Sequence, residues 1–284
     1  MTTDPAKQLP LDEIRYDVQS ALREDVGSGD ISAELIPATQ HTHATIVARE
    51  SAILAGQAWA EEAFRQVDAK IHLSWHLVDS ERMQKDQPVC DIQGPARGIL
   101  TAERTALNFL QTLSAVATQT AHYVQLVADT NVIILDTRKT VPGLRTAQKY
   151  AVRCGGGENH RMGLFDAYLI KENHIRAAGS IERAVSQARS NRPDVPLEVE
   201  VENLDELSQA LALGVDQILL DNFSLETLRE AVEINGGRAR LEASGGVTDS
   251  TVGQIARTGI DAISIGSLTK HIQATDFSLL FEEI

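Results

Sequence analysis

Apolar positions in the first third of the chain follow two different rhythms. Between residues 12 and 25, Ile14, Val18, Ala21 and Leu22 fall at helical spacing and predict a helix with one covered side. Ile71, Leu73, Trp75 and Leu77 alternate with His72, Ser74 and His76, the period of a strand covered on one face, which turns both histidines toward solvent. Further strands are predicted at 42–48, 53–54 and 89–92 and a helix at 59–67, a mixture that reads as an α+β sandwich. After Pro95, Ala106, Leu110, Leu113 and Ala117 recur at three-to-four spacing and predict a long helix over 101–128, with Thr101 as its N-cap.

From residue 132 the pattern becomes regular. Short apolar runs lie at 132–136, 167–171, 197–202, 217–221, 240–244 and 262–266, with helical patterns at 181–189, 204–213, 225–234 and 248–258. Near-continuously apolar strands separated by helices pair in parallel, and six in succession favour a β/α barrel, with an open doubly wound sheet as the alternative. No GxGxxG follows the first of these strands to support a dinucleotide fold.

Composition narrows the function classes. With 26 Lys and Arg against 40 Asp and Glu, the net charge of −14 argues against a nucleic-acid binder, which needs a basic surplus. No apolar run reaches the ~18–20 residues that span a bilayer, and the opening MTTDPAKQLP has no apolar signal core, so a soluble, cytoplasmic protein is expected. Cys90 and Cys154 sit in no CxxC or Cys/His pattern and read as reduced structural thiols.

The chemistry gathers where the predicted strands end. Those ends carry Asp136 with Thr137, Arg138 and Lys139, then Lys171, Glu200 with Glu202, Asp221, Ser244 with Gly245 and Gly246, and Gly266 with Ser267. In a parallel barrel all strand carboxyl ends open on one rim, where barrel enzymes build their sites. Between Asp136 and Lys171 the charge reverses to +4, through Arg138, Lys139, Arg145, Lys149, Arg153, Arg161 and Lys171. Such a segment suits a small polyanion, with Gly155, Gly156 and Gly157 forming a loop that sets Asn159, His160 and Arg161 in place. The turns after the last two strands lead into helices and suit a phosphate. Glu200 and Asp221 are acids beside a predicted polyanion, which Mg²⁺ bound by carboxylates and phosphate oxygens would reconcile.

The stretches ALREDVGSGD at 21–30, ERTALN at 103–108, DTRKTVPGLR at 136–145, GGGENHR at 155–161, LIKENH at 169–174, LLDNF at 219–223 and EASGG at 242–246 resemble the carboxylating nicotinate-nucleotide pyrophosphorylases, also called quinolinate phosphoribosyltransferases. Ser32 stands where that family more often has Thr. The resemblance implies an N-terminal α/β sandwich over 1–115, with the tail of about 271–284 packing back on it, and an incomplete β/α barrel over 116–270. It also implies a homodimer with sites shared between subunits, open to higher assembly. The implied reaction joins quinolinate to phosphoribosyl pyrophosphate, releasing pyrophosphate and carbon dioxide and forming nicotinate mononucleotide for NAD synthesis. Carried over by position, Arg104 of a neighbouring subunit, Arg138, His160 and Arg161 would hold the quinolinate carboxylates. Lys139 and Lys171 would contact anionic oxygens, and Glu200 and Asp221 the ribose hydroxyls and Mg²⁺. Thr137 would line the same site, and Ser244, Gly245, Gly246, Ile265, Gly266 and Ser267 would bind the 5′-phosphate. Glu200 is preferred over Glu198 and Glu202, which share its strand face, by alignment with the family's acidic strand. A paralogue of the same architecture associated with molybdenum transport is the nearest alternative, and an inactive sugar-phosphate-binding barrel is a second.

Overall fold

A computed structural model describes residues 11–282; the polar opening stretch read above lies outside them. The chain divides into two compact units, one of Met1–Ala121, Thr140–Gly156 and Leu268–Ile284, the other of His122–Lys139 and Gly157–Ser267. The segment Thr140–Gly156, which falls inside the expected 116–270 barrel, therefore packs with the first unit.

The first unit opens with α1 (Leu11–Val26), whose Ile14 and Val18 are buried as the helical spacing requires. It continues through β1 (His41–Ala48), β2 (Ala52–Ile53), α2 (Gln57–Val67), β3 (His72–Trp75), β4 (Arg82–Met83), β5 (Pro88–Pro95) and α3 (Ala96–Leu126). The helix α3 starts five residues before the predicted Thr101. Pro95 ends β5, the Ala96 N–H is taken by the Gln40 carbonyl at 2.9 Å, and the chain turns directly into the helix. Thr101 is not a cap; its hydroxyl lies 2.9 Å from both the Arg97 carbonyl and the Asp30 carboxylate. The four-stranded antiparallel sheet runs β12-β1-β5-β3, where β12 (Phe277–Phe281) is the returning tail, paired to β1 with Ala48 opposite Phe277. Its core includes Trp59, Phe64, Ile92, Leu107, Leu110 and Leu113, and both cysteines are buried and free.

The helix α4 (Arg145–Cys154) also belongs to this unit. The sequence reading assigns no element here and counts its basic residues toward the charged island, although Ala147, Tyr150, Ala151 and Cys154 keep helical spacing and are buried. Gly155 ends the helix where a Cβ would come within 2.3 Å of the Ala117 carbonyl, so packing against α3 requires glycine there.

The second unit carries β6 (Ile133–Leu135), β7 (Tyr168–Ile170), α5 (Glu172–Ala178), α6 (Ile181–Asn191), β8 (Leu197–Val201), α7 (Leu204–Ala212), β9 (Gln217–Asp221), α8 (Leu225–Asn235), β10 (Arg240–Ser244), α9 (Asp249–Ala256) and β11 (Ala262–Ser264). The short α10 (Ser267–Lys270) follows. All six strands are parallel in the order β6-β11-β10-β9-β8-β7, and β6 and β7 form opposite edges, so the barrel is incomplete. Side chains Asn203, Ser180 and Ser224 accept backbone N–H bonds at the starts of α7, α6 and α8. One face of each strand, including Val199, Val201, Ile218, Leu220, Leu241 and Ile263, is buried. The opposite face carries Glu198, Glu200, Gln217, Arg240 and Glu242, positions that most barrels fill with branched apolar residues.

Candidate active site

The sheet order decides which strand ends are neighbours. Across it run Thr137–Lys139, Gly266 with Ser267, Ser244–Gly246, Asp221, Glu200 and Lys171. Sequence-distant pieces therefore share one rim, as the parallel reading requires. At one end a Cβ on Gly266 would lie 2.9 Å from the Lys139 side chain, and Thr137 Oγ1 accepts the Lys139 N–H at 3.0 Å. In the middle, Gly245 has φ +98, and a Cβ there would meet Asn222 Oδ1 at 2.0 Å, so only glycine fits. Asn222 itself takes φ 57, donates its N–H to the Ser244 carbonyl at 2.9 Å and its side-chain amide to Asp221 at 2.8 Å. That left-handed residue braces Asp221, and Ser224 rather than Asp221 caps α8.

At the other end Lys171 Nζ is ion-paired to Glu200 Oε2. The Lys171 backbone is held as well, its N–H donating to His174 Nδ1 at 3.0 Å. Among the three alternating glutamates, Glu200 is the one that meets Lys171, Glu198 is buried below it, and Glu202 is exposed. Ile265 is the exception on the rim: its side chain is buried and its N–H is taken by the Leu135 carbonyl at 2.9 Å, so that turn offers Gly266 and Ser267 instead.

The basic island is divided. Arg145, Lys149 and Arg153 lie on α4 in the first unit, Lys149 with no exposed surface and Arg153 over the Tyr150 ring at 5.8 Å. Arg138, Lys139, Arg161 and Lys171 belong to the second unit. Arg161 donates to the Ala167 carbonyl at 3.0 Å, and burial followed by the nearby Arg138 charge pulls its pKa below the ordinary guanidinium value. Two arginine charges within influence of each other in a desolvated place favour an anion between or beside them. Arg104, on the first unit's α3, is exposed with Glu103 4.0 Å away.

Sequence reasoning missed the framework behind these groups. Asp136 is fully buried and accepts Asn159 Nδ2 at 2.6 Å and the His160 N–H at 2.9 Å, so it braces the GGGENHR loop rather than facing a ligand. His160 Nε2 lies 2.9 Å from Glu198 Oε2 and 3.6 Å from Glu242 Oε2. Gln217 Nε2 donates to Glu198 at 3.0 Å and to Glu242 at 3.2 Å. Burial and the adjacent Glu198 push the Glu242 carboxyl up to about 7. The available signal was the period-two set Glu198, Gln217, Arg240 and Glu242, polar residues on strands otherwise apolar.

An incomplete parallel barrel with cations, acids and glycine turns along one strand-end rim suits an enzyme that binds phosphate-bearing anions. Family descriptions then specify the class: the quinolinate phosphoribosyl transferase N-terminal domain matches residues 30–114 and the C-terminal domain residues 116–280. A probable nicotinate-nucleotide pyrophosphorylase (carboxylating) of Bacillus subtilis strain 168 is 40% identical over 257 residues, covering 90% of this chain and 89% of that one. The Mycobacterium leprae nicotinate-nucleotide pyrophosphorylase (carboxylating) is 41% identical over 94% of this chain and 97% of its own. The solved nicotinate-nucleotide pyrophosphorylase of Francisella tularensis superposes with a TM-score of 0.95 at 48% identity, covering 99% of this chain and 100% of that one. The chain belongs to the quinolinate phosphoribosyltransferase family.

Proposed function

We propose that the protein transfers the phosphoribosyl group of phosphoribosyl pyrophosphate to quinolinate with decarboxylation, a pentosyltransferase reaction that supplies nicotinate mononucleotide for NAD biosynthesis. The observation that carries this reading is the match of both domains to one family, with Arg138, Lys139, Arg161, Lys171, Glu200 and Asp221 together in one unit. The names of the relatives favour it over the molybdenum-transport paralogue.

Arg138 and Arg161 hold the quinolinate carboxylates bidentately in this reading, joined by Arg104 from the neighbouring subunit of a homodimer. Lys139 and Lys171 neutralise anionic oxygens of both substrates, and the turns at Ser244–Gly246 and Gly266–Ser267 take the 5′-phosphate. Pyrophosphate departure builds positive charge at the ribose carbon, and Glu200 and Asp221 stabilise it electrostatically. Glu200 and Asp221 offer hard carboxylate oxygens from adjacent strands, a donor set that fits Mg²⁺ held jointly with phosphate oxygens. When bound, the ion supplies charge neutralisation to the leaving pyrophosphate. After transfer, loss of carbon dioxide leaves its electron pair on the adjacent ring carbon, where the cationic pyridinium nitrogen stabilises it until a proton from solvent completes nicotinate mononucleotide, so no organic cofactor is required. Positioning and electrostatics then supply most of the rate. Among the described residues no helix is long and apolar enough to cross a membrane.

The test is turnover by purified protein with Mg²⁺, quinolinate and phosphoribosyl pyrophosphate. Carbon dioxide and nicotinate mononucleotide should appear in equal amounts, and no carbon dioxide would sink the reading. Mixing inactive Arg104→Ala and Lys171→Ala subunits should restore activity if sites are shared; no recovery after demonstrated subunit exchange counts against sharing.

A further inference from the structure

Two chain segments of the rim are tied to each other behind the residues they present. The first runs from the end of β6 through Arg138 and Lys139 to Val141, and the second from the end of β11 through Gly266 and Ser267 to Thr269. They start side by side in the sheet, Ser264 in register with Leu135 and the Ile265 N–H donating to the Leu135 carbonyl at 2.9 Å. Beyond the rim both segments enter the first unit, one after Lys139 and the other after Ser267. There a single side chain joins them again. Gln148 Oε1 accepts the Val141 N–H at 2.8 Å, and Gln148 Nε2 donates to the Thr269 carbonyl at 2.8 Å.

The surroundings of Gln148 suit a fixed link. Gln148 and Thr269 are both fully buried. The Gln148 N–H donates to the Leu144 carbonyl at 2.9 Å, so the side chain starts from helical backbone. The helix α10 ends at Lys270, so no N–H within it reaches the Thr269 carbonyl, and the Gln148 amide satisfies that buried group instead. With an N–H facing its oxygen and a carbonyl facing its nitrogen, the amide has one orientation. An apolar side chain of the same length would leave the Thr269 carbonyl buried without this bond.

We propose that Gln148 is a positioning residue: by holding Val141 and Thr269 together it sets the separation of Lys139 from the Gly266–Ser267 turn, and with it the fit of phosphoribosyl pyrophosphate. Gln148 itself meets no substrate. The spacing it controls is tight, since a Cβ on Gly266 would lie 2.9 Å from the Lys139 side chain. The identity of the ligand rests on the reading above, and the tie rests on the geometry alone.

Two measurements test this. Gln148→Met keeps the side-chain length and loses both bonds; it should raise the KM for phosphoribosyl pyrophosphate about tenfold while kcat stays within about threefold of wild type. An unchanged KM in a variant that melts earlier would make the tie structural only and overturn the proposal. The second measurement uses the wild-type protein. If the tie strengthens binding about tenfold, the ligand strengthens the tie by the same factor. Exchange of the Val141 amide hydrogen, followed by NMR, should therefore slow about tenfold when the protein is saturated with phosphoribosyl pyrophosphate and Mg²⁺. An unchanged exchange rate refutes the positioning role, and this measurement decides if Gln148→Met fails to fold. It also needs no turnover: a protein that released no carbon dioxide would defeat the functional reading, while slowed Val141 exchange would still uphold the coupling of tie and ligand.

Discussion

The two units solve the same packing problem with different materials. The first buries Trp59, Phe64, Leu110 and Leu113 against one another, with buried polar side chains such as Ser114, Gln148 and Lys149 carried on its helices. The second keeps apolar residues on one strand face and lines the other with Glu198, Glu200, Gln217, Arg240 and Glu242. Charged groups are costly to desolvate, and here Gln217 bridges Glu198 and Glu242 while Arg240 Nη2 and Glu242 Oε1 are buried without a hydrogen-bond partner. The difference separates a region built mainly on apolar packing from one whose strands also carry a charged layer.

Substitutions can break this contrast in either unit. The largest expected effect is Phe64→Ala, a fully buried side chain, which should cost about 3–5 kcal/mol of unfolding free energy by denaturant titration. A cost below about 1 kcal/mol would show that the first unit does not depend on that packing. Lys171→Ala should do the opposite, lowering kcat/KM about 10²–10³-fold with little change in melting temperature. A stability loss comparable to that of Phe64→Ala would make the Lys171–Glu200 pair structural.

Smaller effects sharpen the comparison. Tyr150 donates its hydroxyl to the partly buried Asp79 at 2.6 Å, and desolvation raises the Asp79 pKa. Tyr150→Phe should therefore cost about 1–3 kcal/mol, measured by unfolding, while the quinolinate KM stays unchanged. Glu242 tests the polar layer through pH. Its folded carboxyl is raised from 4.5 to about 7, so the folded state binds more protons than the unfolded one within that window. Its contribution is fully present below pH 4.5 and is lost as pH rises through about 7. The melting temperature of Glu242→Gln should accordingly gain on wild type as pH rises from 4.5 to about 7; parallel curves would show that Glu242 titrates normally.

Much of this organisation was legible from local pattern. The six parallel strands lie where the apolar runs predicted them, and their ends carry Lys171, Glu200, Asp221 and the glycine turns, because strand period and helix alternation are short-range properties. The helix α4 escaped because its basic residues masked a spacing that was present, and α3 began early because Pro95 could end one element and Ala96 start the next without a capping side chain. The family resemblance rested on contiguous motifs, and the family's two domain descriptions cover residues 30–114 and 116–280.

By itself, then, the sequence determined the elements, the charged strand ends and the family, all of them properties of residues close together along the chain. Tertiary structure alone decided which strands are neighbours, that the +4 segment is divided between two units, that Glu200 rather than Glu198 or Glu202 meets Lys171, and that His160 faces Glu198. The physical reason is that period two assigns a residue to a face but not to a partner. The partner comes from strand order and register, set by contacts between residues far apart in the chain.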